Sequence, residues 1–268
     1  MSTRPAFATA MKTILLDVGG TFIKCSDGRE IPIDSDGSRE DIANSLKEAL
    51  ADAERAAVAI PGPFDYEHGI FLMKHKFAAV YGECFAEIIG GNREYRFIHD
   101  VNAMLLGEMA SGAGKAYERV ALVTLGTGLG FSMSLDGHLL MNELGSPLVP
   151  VYNLPFGGGI LEDYVSKRGF LLGYQGLTVK ELAQRAGEGD RAALERFADR
   201  GTILASCIAP ILNEYGIQCL LFGGQISRSY FLLAKAVEEG LRNVDSLQYA
   251  GPVQDIGNAT FNGLKTLL

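Results

Sequence analysis

The chain has no tryptophan, no C-x-x-C pair and no run of basic residues. It also has no apolar stretch approaching the ~18 residues that a membrane span needs. Each absence removes a class of function. The four cysteines, Cys25, Cys84, Cys207 and Cys219, are scattered, which speaks against a zinc knuckle and against a disulfide framework. A reducing cytoplasm is the simplest compartment for such thiols. With a net charge of −8 and no basic patch, a nucleic-acid surface is not expected. The opening "MSTRPAFATA" lacks the long apolar core of a secretory signal. Because "MKTILLDVGG" would itself make a natural start, residues 1–11 read as a disordered N-terminal extension.

What is present is an ordinary globular balance, 47% hydrophobic and 21% charged over 268 residues, enough for one large domain or two medium ones. The 33 glycines gather at sharp turns between apolar runs, as tight strand connections require. "ILLDV" (14–18) reads as a buried strand, "GG" as a turn and "TFIKC" as a returning strand, a hairpin signal. "EDIANSLKEALADAE" places Ile42, Leu46, Leu50 and Ala53 at roughly helical spacing. "RAAVAIPGP" and "YRFIHD" are further strands, and "NAMLLGEMASG" is a helix. The strand, glycine turn, strand pattern then returns as "RVALVTL", "GTGLG" and "FSMSLDG", suggesting two similar half-molecules. Downstream, Thr178 and Glu181 fit a capping box. Asp190 can cap a long helix that Pro210 should bend or interrupt. "IQCLLF" is a late buried strand, followed by Gly223-Gly224 and a helix from about Ser227, its expected cap. "NATFNGLKTLL" closes the chain as a helix. Strands and helices alternate throughout, which predicts an α/β fold.

Three glycine turns and four acidic positions carry chemical possibilities. Gly19 and Gly20 let the backbone approach an anion closely and leave amide N–H groups to point at it. Thr21 adds a hydroxyl, and Asp17 can hold a hydrated Mg²⁺, which prefers one or two carboxylates plus waters. A plain two-glycine hairpin explains the same residues. Gly126, Thr127 and Gly128 form a second such turn; its G-x-G-x-G spacing and the strand after it do not fit a dinucleotide fingerprint, and no P-loop pattern occurs. Gly223-Gly224 ends a buried strand, where a flat adenine could lie, or where strand and helix pack tightly. Asp100 stops a strand just before a helix, as an N-cap does and as a base for a substrate hydroxyl would. Glu143 and Glu162 could accept hydrogen bonds from vicinal sugar hydroxyls, or be solvated surface acids, and Glu162 could equally cap or start a helix.

In this order, the motifs resemble the ROK family of sugar kinases, of the actin/Hsp70/hexokinase-type ATPase fold, over about residues 12–268. "LLDVGGTFIKC" looks like the family's D-x-G-G-T-x-x-K phosphate segment, which brings in Lys24. "AIPGPFDYEHGI" resembles its P-G-P segment, bringing in Gly62. "HDVNAMLLGE" is similar to N-D-A-N-A-x-x-x-G-E, so the family's catalytic base falls on Asp100, with His99 and Asn102 beside it. "NELGS" sits where the family has E-x-G-H, "GGGILEDYVS" resembles G-C-L-E-x-x-x-S, and "LLFGGQIS" the adenosine segment. The departures concern the sugar pocket. Ser146 stands for the family's histidine, His99 for the usual asparagine, the cysteine cluster is absent, and the usual sugar loop is not recognisable in "FLMKHKFAAVYG".

The resemblance implies two RNase H-like lobes around a central cleft whose closure excludes water. The smaller is expected at 12–112 and the larger at 113–252, with a final helix, 253–268, returning to the smaller. It implies transfer of the ATP γ-phosphoryl group to a hexose hydroxyl, foremost the 6-hydroxyl as in a glucokinase. Asp100 would be the base. Gly62, His99, Asn102, Glu143 and Glu162 would meet the sugar. Asp17, Gly19, Gly20, Thr21, Lys24, Gly126, Thr127, Gly128, Gly223 and Gly224 would hold ATP, with Mg²⁺ on Asp17 through water and no structural zinc. Two alternatives are an N-acetylmannosamine or N-acetylglucosamine kinase and a catalytically weak, sugar-binding regulatory protein. The family's DNA-binding members carry a helix-turn-helix for which no room is seen before residue 12. A small-molecule sugar is the expected partner, with neither nucleic acid nor membrane, and the resemblance also implies a homodimer.

Overall fold

The computed structural model describes residues 11–268, so the extension expected at 1–11 lies, but for Met11, outside the described residues. Its contacts divide the chain into two units: the described residues up to His99 with Leu267–Leu268, and Asp100–Thr266. The division falls at 99/100, not at 112. The helix after His99 packs on the last helix, and both belong to the second unit. For the same reason that last helix belongs to the second unit, and only the terminal two leucines are grouped with the first.

The first unit is built on a five-stranded sheet. β1 (Thr13–Val18), β2 (Phe22–Cys25) and β3 (Glu30–Pro32) form an antiparallel meander. β4 (Arg55–Ile60) adds parallel to β1 and, after the small hairpin of β5 (Phe64–Asp65) and β6 (Ile70–Phe71), β7 (Glu94–His99) adds parallel to β4. The order is β3-β2-β1-β4-β7. Helix α1 (Arg39–Leu50) starts where the Ser38 hydroxyl accepts the Asp41 N–H. It buries Ile42, Ala43, Leu46, Ala49 and Leu50 on one face. It ends four residues short of the expected range, because Ala51 turns to a φ of 48° and its N–H closes on Lys47 O. Short α2 (Phe85–Ile89) completes the unit, whose core gathers the fully buried rings of Phe64, Phe71, Phe77 and Phe85.

The second unit opens with α3 (Asp100–Ser111) and repeats the sheet plan. β8 (Arg119–Leu125), β9 (Leu129–Leu135) and β10 (His138–Leu139) are antiparallel neighbours. β11 (Pro155–Phe156) and β12 (Gly159–Ile160) make a small hairpin. β13 (Cys219–Gly223) lies parallel to β8, and β14 (Tyr249–Pro252) parallel to β13, giving the order β10-β9-β8-β13-β14. The duplication read from the glycine turns is therefore a duplication of topology. Around the sheet lie α4 (Leu161–Val165), α5 (Lys167–Leu171), α6 (Val179–Gly187), α7 (Arg191–Glu214), α8 (Ala234–Gly240) and α9 (Ala259–Lys265). The Thr178/Glu181 capping box forms on α6, and Asp190 caps α7 by accepting Ala193 N–H at 3.1 Å.

Two local expectations change. Helix α7 is not interrupted at Pro210. The turns around it bury Leu204, Ala205, Ile208 and Leu212, and that apolar burial outweighs one missing backbone bond. Ser227 is not a cap: its hydroxyl donates back to Gly223 O at 2.6 Å, and the 3-10 segment Ile226–Leu232 has no side-chain cap. All four cysteines are free, and burial pushes the Cys219 thiol up to about 12, which leaves it chemically quiet.

Candidate active site

In the first unit the candidate residues collect at one edge of the sheet. β1, β4 and β7 are parallel, and their carboxyl ends are where ligands sit in open α/β sheets. Gly19-Gly20-Thr21 follows β1, Pro61-Gly62 follows β4, and His99 ends β7 opposite Ile60. The first turn is closed by the Gly19 N–H donating to Phe22 O at 2.9 Å. It is braced by Ile33 N–H to Thr21 O and Ser35 N–H to Gly20 O, each 3.0 Å. Asp17 and Lys24 are directly opposed across β1 and β2, so both project from the same face. Asp17 is half-buried while Lys24 and Thr21 are exposed. The His99 ring lies 5.9 Å from that of Tyr66, whose hydroxyl donates to Ile60 O at 2.8 Å. Tyr66 thereby ties the end of β4 to the place where His99 stands.

The second unit shows the same arrangement. Gly126-Thr127-Gly128 follows β8, and Gly223-Gly224 closes β13, its parallel neighbour. The turn is held by Lys167 N–H donating to Gly126 O at 2.8 Å and by Glu162 Oε2 accepting Leu129 N–H at 2.9 Å. A Cβ on Gly128 would stand 2.8 Å from that same oxygen. Glu162 is in turn paired with Arg168 at 3.2 Å, and Arg168 also reaches Asp163 at 2.6 Å. The structure thus gives Glu162 a bracing role at the glycine turn. Gly223 and Gly224 have a packing reason to be glycine. A Cβ on Gly223 would come within 2.4 Å of Met104 Sδ, and Gly224 has a φ of +82° with its Cβ position 2.4 Å from Leu125 O.

Asp100 is the first residue of α3, half-buried, and its Oδ1 accepts the N–H of Val101 at 2.8 Å. A carboxylate here also complements the positive end of the helix. Asn102, two residues on, is fully buried. Its Oδ1 accepts the Ser132 hydroxyl at 2.6 Å and its Nδ2 donates to Gly145 O at 3.1 Å. The contact with sugar expected for Asn102 is therefore corrected: without exposed surface, it joins α3 to β9 and to the 142–146 loop. That loop is wound around Asn142, whose side-chain oxygen accepts from Leu144 N at 3.0 Å and Ser146 N at 3.1 Å. Glu143 is exposed on it and Ser146 half-buried. The second unit thus brings together Asp100, Asn102 and the Glu143–Ser146 loop. Ser132 and Asn142 were not singled out from sequence. The alternation in "FSMS" marked Ser132 as a strand position but said nothing of a partner 30 residues away. Among the described residues, no group of three or more histidine, cysteine or acidic side chains is placed to hold a metal.

Two repeated five-stranded sheets, each opening on a glycine hairpin, define an α/β protein of the actin-like ATPase fold. The chain belongs to the ROK family, whose model matches residues 9–261. Its relatives include the glucokinase of Thermotoga maritima, 26% identical over 277 residues, covering 85% of this chain and 86% of that protein. The N-acetylmannosamine kinase of Escherichia coli O157:H7 is 25% identical over 84% of this chain and 86% of its own length. Among solved structures, the ROK family glucokinase from Streptomyces griseus in complex with glucose and AMPPNP superposes with a TM-score of 0.75. It shares 21% identity and is covered to 98%, with 95% of this chain aligned.

Proposed function

We propose that this protein transfers the γ-phosphoryl group of ATP to a hexose, foremost at the 6-hydroxyl as a glucokinase does. Family and relatives make it a carbohydrate kinase. The observation that carries the donor side of the proposal is the glycine hairpin repeated at the equivalent place of both sheets, after β1 and after β8. Phosphoryl transfer asks little covalent chemistry of a protein and much positioning and charge neutralisation. Backbone N–H groups of Gly19, Gly20, Gly126 and Gly128, with the hydroxyls of Thr21 and Thr127, supply donors for phosphate oxygens. Lys24 adds positive charge, and Gly223-Gly224 offers a flat rest for adenine. Asp17 would hold Mg²⁺ through water, and the ion would neutralise charge on the phosphates. Asp100 takes the proton as the sugar oxygen attacks phosphorus. In the first unit Gly62 and His99, and in the second Glu143 and Glu162, are the residues that the family resemblance assigns to sugar hydroxyls, while Asn102 holds the Glu143 loop to α3.

A coupled ADP-release assay over glucose, mannose, N-acetylglucosamine and N-acetylmannosamine tests the acceptor. Turnover is expected with glucose at a kcat/KM at least about tenfold above the N-acetyl sugars, a difference of ~1.4 kcal/mol. Two substitutions, Ser146 and His99 where the resembled kinases have histidine and asparagine, favour the second reading, an N-acetylhexosamine kinase, and the reverse ranking would establish it. Sugar binding by calorimetry with no turnover on any sugar would rule out the kinase reading in favour of a regulatory, sugar-binding protein.

The second glycine turn has its own test. A Cβ on Gly126 meets nothing within 4 Å, so Gly126→Ala should melt with the wild-type protein. It should nonetheless weaken ATP about tenfold by holding the phosphate off the backbone. An unchanged KM for ATP would remove that turn from the phosphate site.

A further inference from the structure

The first glycine turn has a neighbour that the motifs did not include. Gly20 O accepts the Ser35 N–H at 3.0 Å, and Ser35 O accepts the Phe77 N–H at 2.7 Å. Two backbone bonds thus dock the "MKHKF" segment beside the turn. Phe77 anchors it, fully buried with its ring 5.6 Å from Phe71, and takes a left-handed φ of 52°. For a phenylalanine that conformation is strained and persists only where the surroundings impose it. Its consequence falls on Lys76. The lysine stem lies along Gly20: a Cβ there would be 3.8 Å from Lys76 Cε, 3.9 Å from Cδ and 3.2 Å from Ser35 Oγ. Lys76 is half-buried, and among the described residues no carboxylate lies within ion-pair distance of its ammonium. Lys12 and Lys235, by contrast, are more exposed and paired with Asp52 and Glu239. Lys74, exposed, adds a second cation in the same segment, in a chain of net charge −8.

An ammonium that meets no carboxylate among the described residues, one bond beyond a carbon lying along a glycine turn, is a site for an anion. We propose that Lys76, with Ser35, binds the terminal phosphoryl group of the nucleoside triphosphate at the Gly19-Gly20-Thr21 turn. This rests on the reading of that turn as a phosphate site. Lys76 serves there as a point charge of the kind lysine supplies to phosphates elsewhere. It distinguishes triphosphate from diphosphate, because the charge it meets leaves with the transferred group.

The test is calorimetric titration of the full chain with AMP-PNP, ADP and inorganic tripolyphosphate, for wild type, Lys76→Met and Lys76→Arg. Methionine keeps the stem packing against Gly20, and the melting temperature of each variant is measured alongside. Lys76→Met is expected to weaken AMP-PNP and tripolyphosphate about tenfold and ADP less than about threefold, with Lys76→Arg near wild type. Wild-type affinity for AMP-PNP in Lys76→Met, or equal weakening of AMP-PNP and ADP, would overturn the assignment. If the wild type binds tripolyphosphate in a Lys76-dependent manner but binds no nucleotide, the kinase reading fails while the anion site stands. If it binds nucleotide but Lys76→Met changes nothing, the reverse holds.

Discussion

Replacing Asp100 with asparagine is expected to lower kcat about 10²–10⁴-fold, the usual worth of a positioned general base. The substitution keeps size and shape, and an amide oxygen can still accept the Val101 N–H that Oδ1 now accepts at 2.8 Å. What it removes is the lone pair that takes a proton, and with it the negative charge at the first turn of α3. Loss of that charge should cost about 0.3–1 kcal/mol of helix stabilisation, a small shift in melting. AMP-PNP affinity, measured by calorimetry, should stay near wild type, because the base acts on the acceptor hydroxyl. A variant retaining more than about a tenth of kcat, under ~1.4 kcal/mol of barrier, would show that Asp100 is not the base.

The second large effect concerns the helix that presents Asp100. Helices α3 and α9 meet through reciprocal glycines. A Cβ on Gly107 would lie 1.9 Å from Ala259 O, and one on Gly263 would lie 1.8 Å from Ala103 O. Both obstacles are backbone, so no rotamer relieves them. Gly107→Ala must separate the helices or bend one. Overpacking typically costs 1–3 kcal/mol and occasionally more, and rigid backbone on both sides puts this case at about 3 kcal/mol or above. In a chain of this size, that lowers the melting temperature by about 6–12 °C. Gly187→Ala is the control, since a Cβ at the end of α6 meets nothing within 4 Å. It should leave melting unchanged or raise it slightly. Activity should fall in Gly107→Ala as well, because Asn102 joins α3 to Ser132 and Gly145 and any movement of the helix disturbs that link. Melting of Gly107→Ala within about 2 °C of wild type would mean the two helices can part at little cost.

Much of the fold was legible because its signals are local. "ILLDV" and "RVALVTL" are apolar runs long enough to be strands, and each is followed by glycines that allow only a sharp turn. Thr178 and Asp190 cap their helices through hydroxyl and carboxylate groups at fixed offsets, which spacing reveals directly. The misreadings also have local causes. Proline at 210 weakens a helix in isolation, but burial on both sides carries α7 through it. Ser227 has the chemistry of a cap, yet a nearer acceptor, Gly223 O, takes its hydroxyl. The family resemblance implies a smaller lobe ending at 112, whereas the contacts of the chain divide it after His99. Helix α3 spends its small-residue face on α9.

The sequence by itself determined the α/β class, the repeated glycine hairpins, the capped helices and the order of motifs that places the chain in its family. These depend on residues within a few positions of each other, where periodicity and turn chemistry operate. Only the tertiary structure decided which side chains those elements bring together. Asn102 meets Ser132 and Gly145 across 30 and 43 residues, Glu162 braces Leu129 across 33, and Lys76 lies along Gly20. No spacing rule encodes such pairs, because the folding of the sheets and helices, not the chain's local preferences, sets the distance between them.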